Sequence, residues 1–219
     1  MNPVLRHSAA HVFVSSLESP VLEADDAHHL LRVLRLRDGE VVTVSDGRGC
    51  WRPCSVRGGT LVPTGPIVAE PAAPPCHVLT AIPKGDRLDW MAQKLTEVGV
   101  TQLTLVDCAR SVVRWQTDRA QRQRERLLRI IRDAAMQSRR TWLPELDGPV
   151  PFEAAVRVEG VTLLDPSGVS RSMGTAVLIG PEGGFAESEL ACGAPVASLG
   201  DTVLRVETAA VVAAVKILT

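Results

Sequence analysis

The 219 residues give room for one large domain or two modest ones, with ample core. A composition of 45% hydrophobic and 22% charged residues is that of a soluble globular protein. No apolar run approaches the ~18 residues of a membrane span, and Met1-Asn-Pro-Val-Leu-Arg-His7 lacks the apolar core of a signal peptide, so the cytosol is the expected compartment.

The net charge of −1 conceals an uneven distribution. Three of the 24 basic residues are lysines (Lys84, Lys94, Lys216), and the rest are arginines. Ten arginines between Arg110 and Arg140 face only Asp118, Glu125 and Asp133, so a local patch can attract a polyanion despite the neutral average. Arginine adds a planar fork for phosphates and a face for stacking on bases.

Residues 1–70 read as a small β-rich module. Val12-Phe-Val14 is strand-like, and a short helical patch surrounds Ala27 to Leu31. His28 and His29 point in different directions on a helix, which disfavours a shared metal ion. Arg32, Arg35 and Arg37 then lie close together, either as a solvated face or as contacts to an RNA backbone. Glu40 to Ser45 and Cys50 to Val56, joined across Asp46-Gly-Arg-Gly49, carry a hairpin signature, and frequent turns beyond suggest a small β-barrel. Cys50 and Cys54 share one face of a strand and read as small hydrophobes.

Glu70-Pro-Ala-Ala-Pro-Pro75 marks a boundary, with residues 71–75 as a Pro-rich linker and 76–219 as a second, α/β domain. Cys76 to Ile82 is a buried strand. Asp86 stands where it can cap a helix whose Leu88, Met91, Leu95 and Val98 share a face, closed by Gly99. Val100 to Val106 is the next strand, and this βαβ alternation argues for a parallel sheet. Gln116 to Arg140 forms a long basic helix with Leu127, Leu128, Ile130, Ile131, Ala134 and Ala135 on its buried side. Val161 to Leu164 and Val177 to Ile179 are further short apolar strands. The closing helix from Glu207 to Leu218 is apolar on nearly every side, so it is expected to be buried all round, in part against a second subunit.

Two loops organise this second domain. Val177-Leu-Ile runs into Gly180-Pro-Glu-Gly-Gly184, and a second bend at Leu199-Gly200 leads to Val203-Leu-Arg205. Glycine-rich loops at the ends of adjacent strands make a ligand crevice of the kind open α/β sheets use. The first loop lacks the Gly-Lys-Ser/Thr of a P-loop and the spacing of a dinucleotide fingerprint. No nucleophile elbow and no cluster spaced for a metal is present in the sequence.

Taken together, His29-Leu-Leu-Arg-Val-Leu-Arg35, Lys84-Gly-Asp86 with Lys94-Leu-Thr-Glu-Val-Gly99, Ala134-Ala-Met-Gln-Ser-Arg139, Ile179 to Phe185 and Leu199 to Ala209 resemble the RsmE family of SPOUT methyltransferases. The motifs span nearly the whole chain in the family's order. The resemblance implies an N-terminal PUA-like β-barrel, a C-terminal α/β domain with a deep trefoil knot, a homodimer, and S-adenosyl-L-methionine as cofactor. The implied reaction is methylation of uracil N3 in 16S rRNA of the small ribosomal subunit; a knotted methyltransferase with another RNA target and a non-catalytic RNA-binding protein are the alternatives. Cofactor binding carries over onto Leu178, Ile179, Gly180, Pro181, Glu182, Gly183 and Gly184, and onto Leu199, Gly200, Val203, Leu204 and Arg205. Arg205 is the candidate catalytic donor to the uracil carbonyls. RNA contacts are expected at Arg32, Arg35, Arg37, Lys84, Arg110, Arg114, Arg139 and Arg140. Glu182 either positions substrate or holds its own loop, and Glu207 complements the helix dipole or does more. Met136 departs from the glutamate of many members, tyrosine is absent, and Thr219 comes a little early for the family.

Overall fold

The computed structural model describes residues 2–169 and 172–219, with Thr117 described in its backbone only. The chain divides into two compact units: Met1–Ala72 with Arg132–Leu143, and Ala73–Ile131 with Pro144–Thr219.

In the first unit a short helix α1 (Pro3–His7) precedes β1 (Ala10–Phe13). Helix α2 (Ala24–His28) then widens into a π-helical turn at His29–Val33. Four strands follow, β2 (Val41–Ser45), β3 (Cys50–Arg57), β4 (Thr60–Pro63) and β5 (Val68–Ala69). They pair in the order β1-β2-β3-β4, with β5 also on β3; β1 and β2 run parallel, and the other pairs are antiparallel. The predicted hairpin is β2–β3. The pairing is an open path, not a closed ring. Cys54 is buried in the core and Cys50 packs against it, the role expected of small hydrophobes.

The unit is completed by a distant segment that local periodicity assigns elsewhere. Arg132 forks onto Asp26 through Nη1 (3.0 Å) and Nη2 (2.6 Å), donates to the Phe13 carbonyl, and lies over the Phe13 ring. Gly49 has φ +92° and leaves the place of a Cβ to the Trp142 indole, while its N–H donates to the Thr141 carbonyl. Buried His11 shares a hydrogen bond with the Thr43 hydroxyl (2.8 Å) and another with the Arg140 carbonyl (3.0 Å).

The second unit holds a six-stranded sheet in the order β11-β9-β10-β6-β7-β8, every pair parallel. In chain order its elements are β6 (His77–Ala81), α3 (Arg87–Val98), β7 (Gln102–Asp107) and α4 (Thr117–Gln137). Next come β8 (Glu145–Pro151), α5 (Phe152–Ala155), β9 (Val161–Leu164) and β10 (Ala176–Ile179). The last three are α6 (Glu187–Leu190), β11 (Val196–Ala197) and α7 (Val206–Leu218). Alternate residues face opposite sides of a strand. Val78, Leu103, Leu105, Val177 and Ile179 accordingly join one core with α3, α7 and Leu127 of α4. Leu79, Val106, Leu163 and Leu178 join the other, with Phe152 and Phe185.

Three expectations need correction. Leu128 is 41% exposed, because it falls a step off the stripe set by Leu127 and Ile131. Helix α7 is not buried all round in one chain: Ala209, Ala210, Ala213 and Ala214 are inside, but Val215 is 41% exposed. Asp86 stands at the N-cap of α3 without making the side-chain capping bond. Gly99 does close that helix in the left-handed region, at φ +116°.

Two close approaches of backbone to backbone demand glycine. A Cβ on Gly168 would lie 2.5 Å from the Ala197 carbonyl carbon, and one on Gly174 would overlap the Gly160 carbonyl oxygen. Backbone cannot swing aside as a flexible side chain can. Gly168→Ala and Gly174→Ala are each expected to cost about 2–3 kcal/mol in urea denaturation. Gly200→Ala, which would meet nothing within 4 Å, should cost little on the same curves.

Acid stability tests the first unit. Burial, opposed by the hydrogen bond to Arg140, lowers the His11 pKa to about 4. The unfolded chain binds a proton more readily, with a pKa near ~6.5. The neutral ring's contribution is therefore complete above that value and lost as pH falls towards 4. The expected slope approaches ~1.4 kcal/mol per pH unit. His11→Gln should flatten that slope in denaturation series between about pH 6.5 and 4, although it costs stability at neutral pH.

Candidate functional site

Parallel strands end together when their register is aligned. Ile179 pairs with both Thr80 and Leu164, and Leu164 pairs with Ala197, so four strands finish at one level. The loops that follow gather at the carboxyl edge of the sheet, where such sheets bind ligands. The two glycine loops leave β10 and β11, which are not neighbours as the sequence suggested. Strand β9 lies between them, which sets their origins two strand spacings, roughly 10 Å, apart.

The first loop is held from several sides. Glu182 Oε1 accepts from the Lys84 backbone N–H (3.2 Å) and lies 4.0 Å from Arg87 Nη1. Arg87 Nε in turn lies 3.6 Å from Glu207 Oε1 on the first turn of α7. Arg110 donates to the Gly183 carbonyl (3.1 Å). Buried Glu189 receives the N–H of Ala109 (2.8 Å) and of Ala186 (2.7 Å), which ties the chain after β7 to the chain after β10. Glu182 thus ties its loop to the Lys84 segment. Glu207 does more than complement a dipole: it is buried, one oxygen faces Arg87, and Oε2 has no hydrogen-bond partner among the described residues.

The second loop is held differently. The Ser198 hydroxyl donates to the Gly200 carbonyl (2.8 Å), and Lys216 Nζ donates to the Leu199 carbonyl (3.2 Å). Leu199, Leu204 and Met173 are half-buried against the core that contains Ile179. Gly184, at φ +71°, and Gly200 face open space, whereas the Gly180 backbone is covered by the Phe185 ring. Half-buried aliphatic side chains together with open backbone are the kinds of group that a flat heteroaromatic ligand needs.

The expected residues fare unequally. Ile179, Gly180, Pro181, Glu182, Gly183, Gly184, Leu199, Gly200 and Leu204 all lie at this edge. Leu178 sends its side chain into the opposite core, leaving only backbone, and Val203 is 83% exposed. Arg205, the N-cap of α7, is exposed. Lys84, Arg110 and Arg114 are exposed in the second unit, and Arg32, Arg35 and Arg37 in the first. Arg114 is also drawn to the Cys108 carbonyl (3.1 Å). Arg139 is committed to the fold, donating to the Ser8 hydroxyl (3.1 Å) and carbonyl (2.7 Å), and the Arg140 carbonyl serves His11. Burial pushes the Cys108 thiol up to about 12, so it is no nucleophile. Arg87 and Glu189 are the participants that motif reading passed over; Arg87 directly follows Asp86, where a capping interpretation drew attention away.

Fold and site together define an α/β protein with glycine loops at the carboxyl edge of a parallel sheet, joined in one chain to a small β module. The RNA methyltransferase domain family matches residues 70–218, and the RNA methyltransferase PUA domain family matches residues 22–58. The ribosomal RNA small subunit methyltransferase E of Mycobacterium bovis (strain ATCC BAA-935 / AF2122/97) is 33% identical over 218 residues, covering 88% of this chain and 83% of its own. Its Bacillus subtilis (strain 168) counterpart is 26% identical over 222 residues, covering 86% and 85%. A Legionella pneumophila protein described as a methyltransferase, solved with the bound cofactor SAM, superposes with a TM-score of 0.78 at 26% identity, covering 94% of this chain and 96% of its own. The chain belongs to the ribosomal RNA small subunit methyltransferase E (RsmE) family.

The Arg87 network yields a prediction. Arg87→Ala strands a buried carboxylate, and because Arg87 is itself partly exposed the expected cost is about 1–2 kcal/mol. A second change, Glu207→Gln, should recover part of that loss in a double-mutant cycle read by denaturant titration.

Proposed function

We propose that this chain methylates N3 of a uridine in 16S rRNA of the small ribosomal subunit, with S-adenosyl-L-methionine as the methyl donor. The observation that carries this reading is the pair of glycine loops on register-aligned strand ends, walled by Leu199 and Leu204 in a member of the RsmE family. The cofactor supplies a methyl group already activated on a sulfonium. Ile179, Leu199 and Leu204 would flank its adenine, and the open backbone of Gly184 and Gly200 would approach it closely. Catalysis then consists largely of aligning the uracil nitrogen. As the N3 proton passes to solvent water and the methyl group leaves the sulfonium, negative charge grows on the uracil carbonyls. The exposed guanidinium of Arg205, together with the positive end of α7 that it caps, stands ready to stabilise that charge.

The first unit serves as the RNA-binding module, with Arg32, Arg35 and Arg37 on its surface, and Lys84, Arg110 and Arg114 add positive charge to the second. The chain works in the cytosol, as a homodimer that covers the exposed apolar side of α7. The second unit carries the deep trefoil knot of its family. Val215→Glu is expected to shift sedimentation velocity from dimer to monomer with the fold intact.

Titration calorimetry should give saturable heat with S-adenosylmethionine; a pure RNA binder gives none. Mass mapping of nucleosides in 16S rRNA from a deletion strain should lack one N3-methyluridine, and complementation should restore it. Arg205→Ala is expected to lower kcat about 100-fold or more with cofactor affinity within twofold. Near-normal turnover by that variant removes Arg205 from the mechanism.

A further inference from the structure

A cavity of about 240 Å³ in the second unit opens beside Pro83 and Gly85, the residues flanking Lys84. It is separate from the glycine loops yet borders them, since the Lys84 N–H donates to Glu182 of the first loop. Its lining combines apolar and charged groups in an unusual set. Ile82 and Leu88 are buried, and the half-buried Trp115 indole packs against the same core. Around them stand Asp86, Asp89, Arg119 and Arg126. Asp89 and Arg126 neutralise each other in an ion pair. Asp86 is different: it sits at the N-cap of α3, makes no side-chain capping bond, and its carboxylate has no ion-pair partner among the described residues.

Indole surface beside exposed arginine is how proteins hold unpaired bases, the ring stacking on the base and the cation meeting its phosphate. The carboxylate decides which base. An ionised carboxylate only accepts hydrogen bonds, so it repels the paired carbonyls of uracil. Guanine alone among the bases offers two adjacent donors, N1–H and the N2 amino group, which match the two oxygens of one carboxylate. The cavity is therefore mismatched to the methylated base and suited to another one.

We propose that this cavity is a second base site, which holds an unpaired guanine of the RNA stacked on Trp115, with Asp86 accepting from its N1–H and amino group and Arg119 facing its phosphate. The inference rests on the RNA methyltransferase reading and adds a sequence-reading contact to it. Trp115 and Asp86 act here by positioning RNA, not in the chemical step.

The test uses the full-length protein and end-labelled heptauridylate, with its central base left as uracil or replaced by guanine, adenine, cytosine or hypoxanthine. Fluorescence anisotropy is expected to show the guanine strand bound about tenfold more tightly than the uracil, adenine and cytosine strands. Hypoxanthine, which lacks the amino group, should lose most of that advantage. Trp115→Phe should keep the preference, Trp115→Ala should weaken the guanine strand to the level of heptauridylate, and Asp86→Asn should remove the discrimination while melting as wild type does. Equal binding of all five strands, or a guanine preference that survives both Trp115→Ala and Asp86→Asn, overturns the proposal. Calorimetry on the same samples separates the two readings: saturable cofactor heat with no guanine preference sinks only the second base site, whereas a guanine preference without cofactor heat supports that site and sinks the methyltransferase assignment.

Discussion

The second unit depends on one constraint, the burial of β10 between β9 and β6 on both faces of an all-parallel sheet. Parallel strands cannot be joined by tight turns, so each connection must travel over the sheet and return. Aligned register then delivers every returning loop to the same edge. Ile179, Leu164, Thr80 and Ala197 finish at one level, and the loops beyond them have nowhere else to go. The crowding there explains why Gly168 carries no side chain: the Ala197 backbone occupies the space where a Cβ would stand. Gly174 obeys the same rule at the opposite edge, where it enters β10 beside the Gly160 backbone that enters β9. It also explains how an edge built of main chain is kept rigid. Glu182, Glu189, Arg87 and Arg110 each reach from one loop to another, so several exposed connections share one set of polar ties.

Charge counting along the chain overstates the surface available to a nucleic acid. The excess of arginine between residues 110 and 140 is real, but several of these side chains are engaged in structure. Arg132 is clasped by Asp26 and Phe13, Arg139 by Ser8, Arg126 by Asp89, and Arg114 leans on the Cys108 carbonyl. A guanidinium that satisfies its own fold contributes less to a polyanion than one left in water, because its field is partly neutralised and its donors are occupied. The exposed remainder, including Arg119 and Arg122, is what a polyanion meets. The same logic separates Glu207 from an ordinary dipole-capping acid, since burial beside Arg87 turns it into part of the loop network.

Much of this protein was legible in its sequence because local physics is written locally. Short apolar runs marked β6, β9 and β10, a left-handed glycine marked the end of α3, and Asp46-Gly-Arg-Gly49 marked a hairpin. The glycine loops announced a ligand edge without any contact being known, and the ordered motifs pointed to the RsmE family. Strands β8 and β11 escaped notice for equally local reasons: one is interrupted by glycine and proline, and the other is two residues long.

What tertiary structure alone decided involves pairings between distant residues, for which the sequence carries no period. Strand order placed β9 between the strands that bear the glycine loops, and it turned Leu178 away from the edge although its neighbour Ile179 lies on it. Packing drew residues 132–143 into the first unit, where a continuous helical pattern suggested a single second domain. Composition and periodicity settle which faces are apolar and where the chain must turn, since both follow from neighbours a few positions apart. Which apolar face meets which, and whether an arginine ends beside a carboxylate or in water, is set by contacts across a hundred residues and emerges only when the chain is folded.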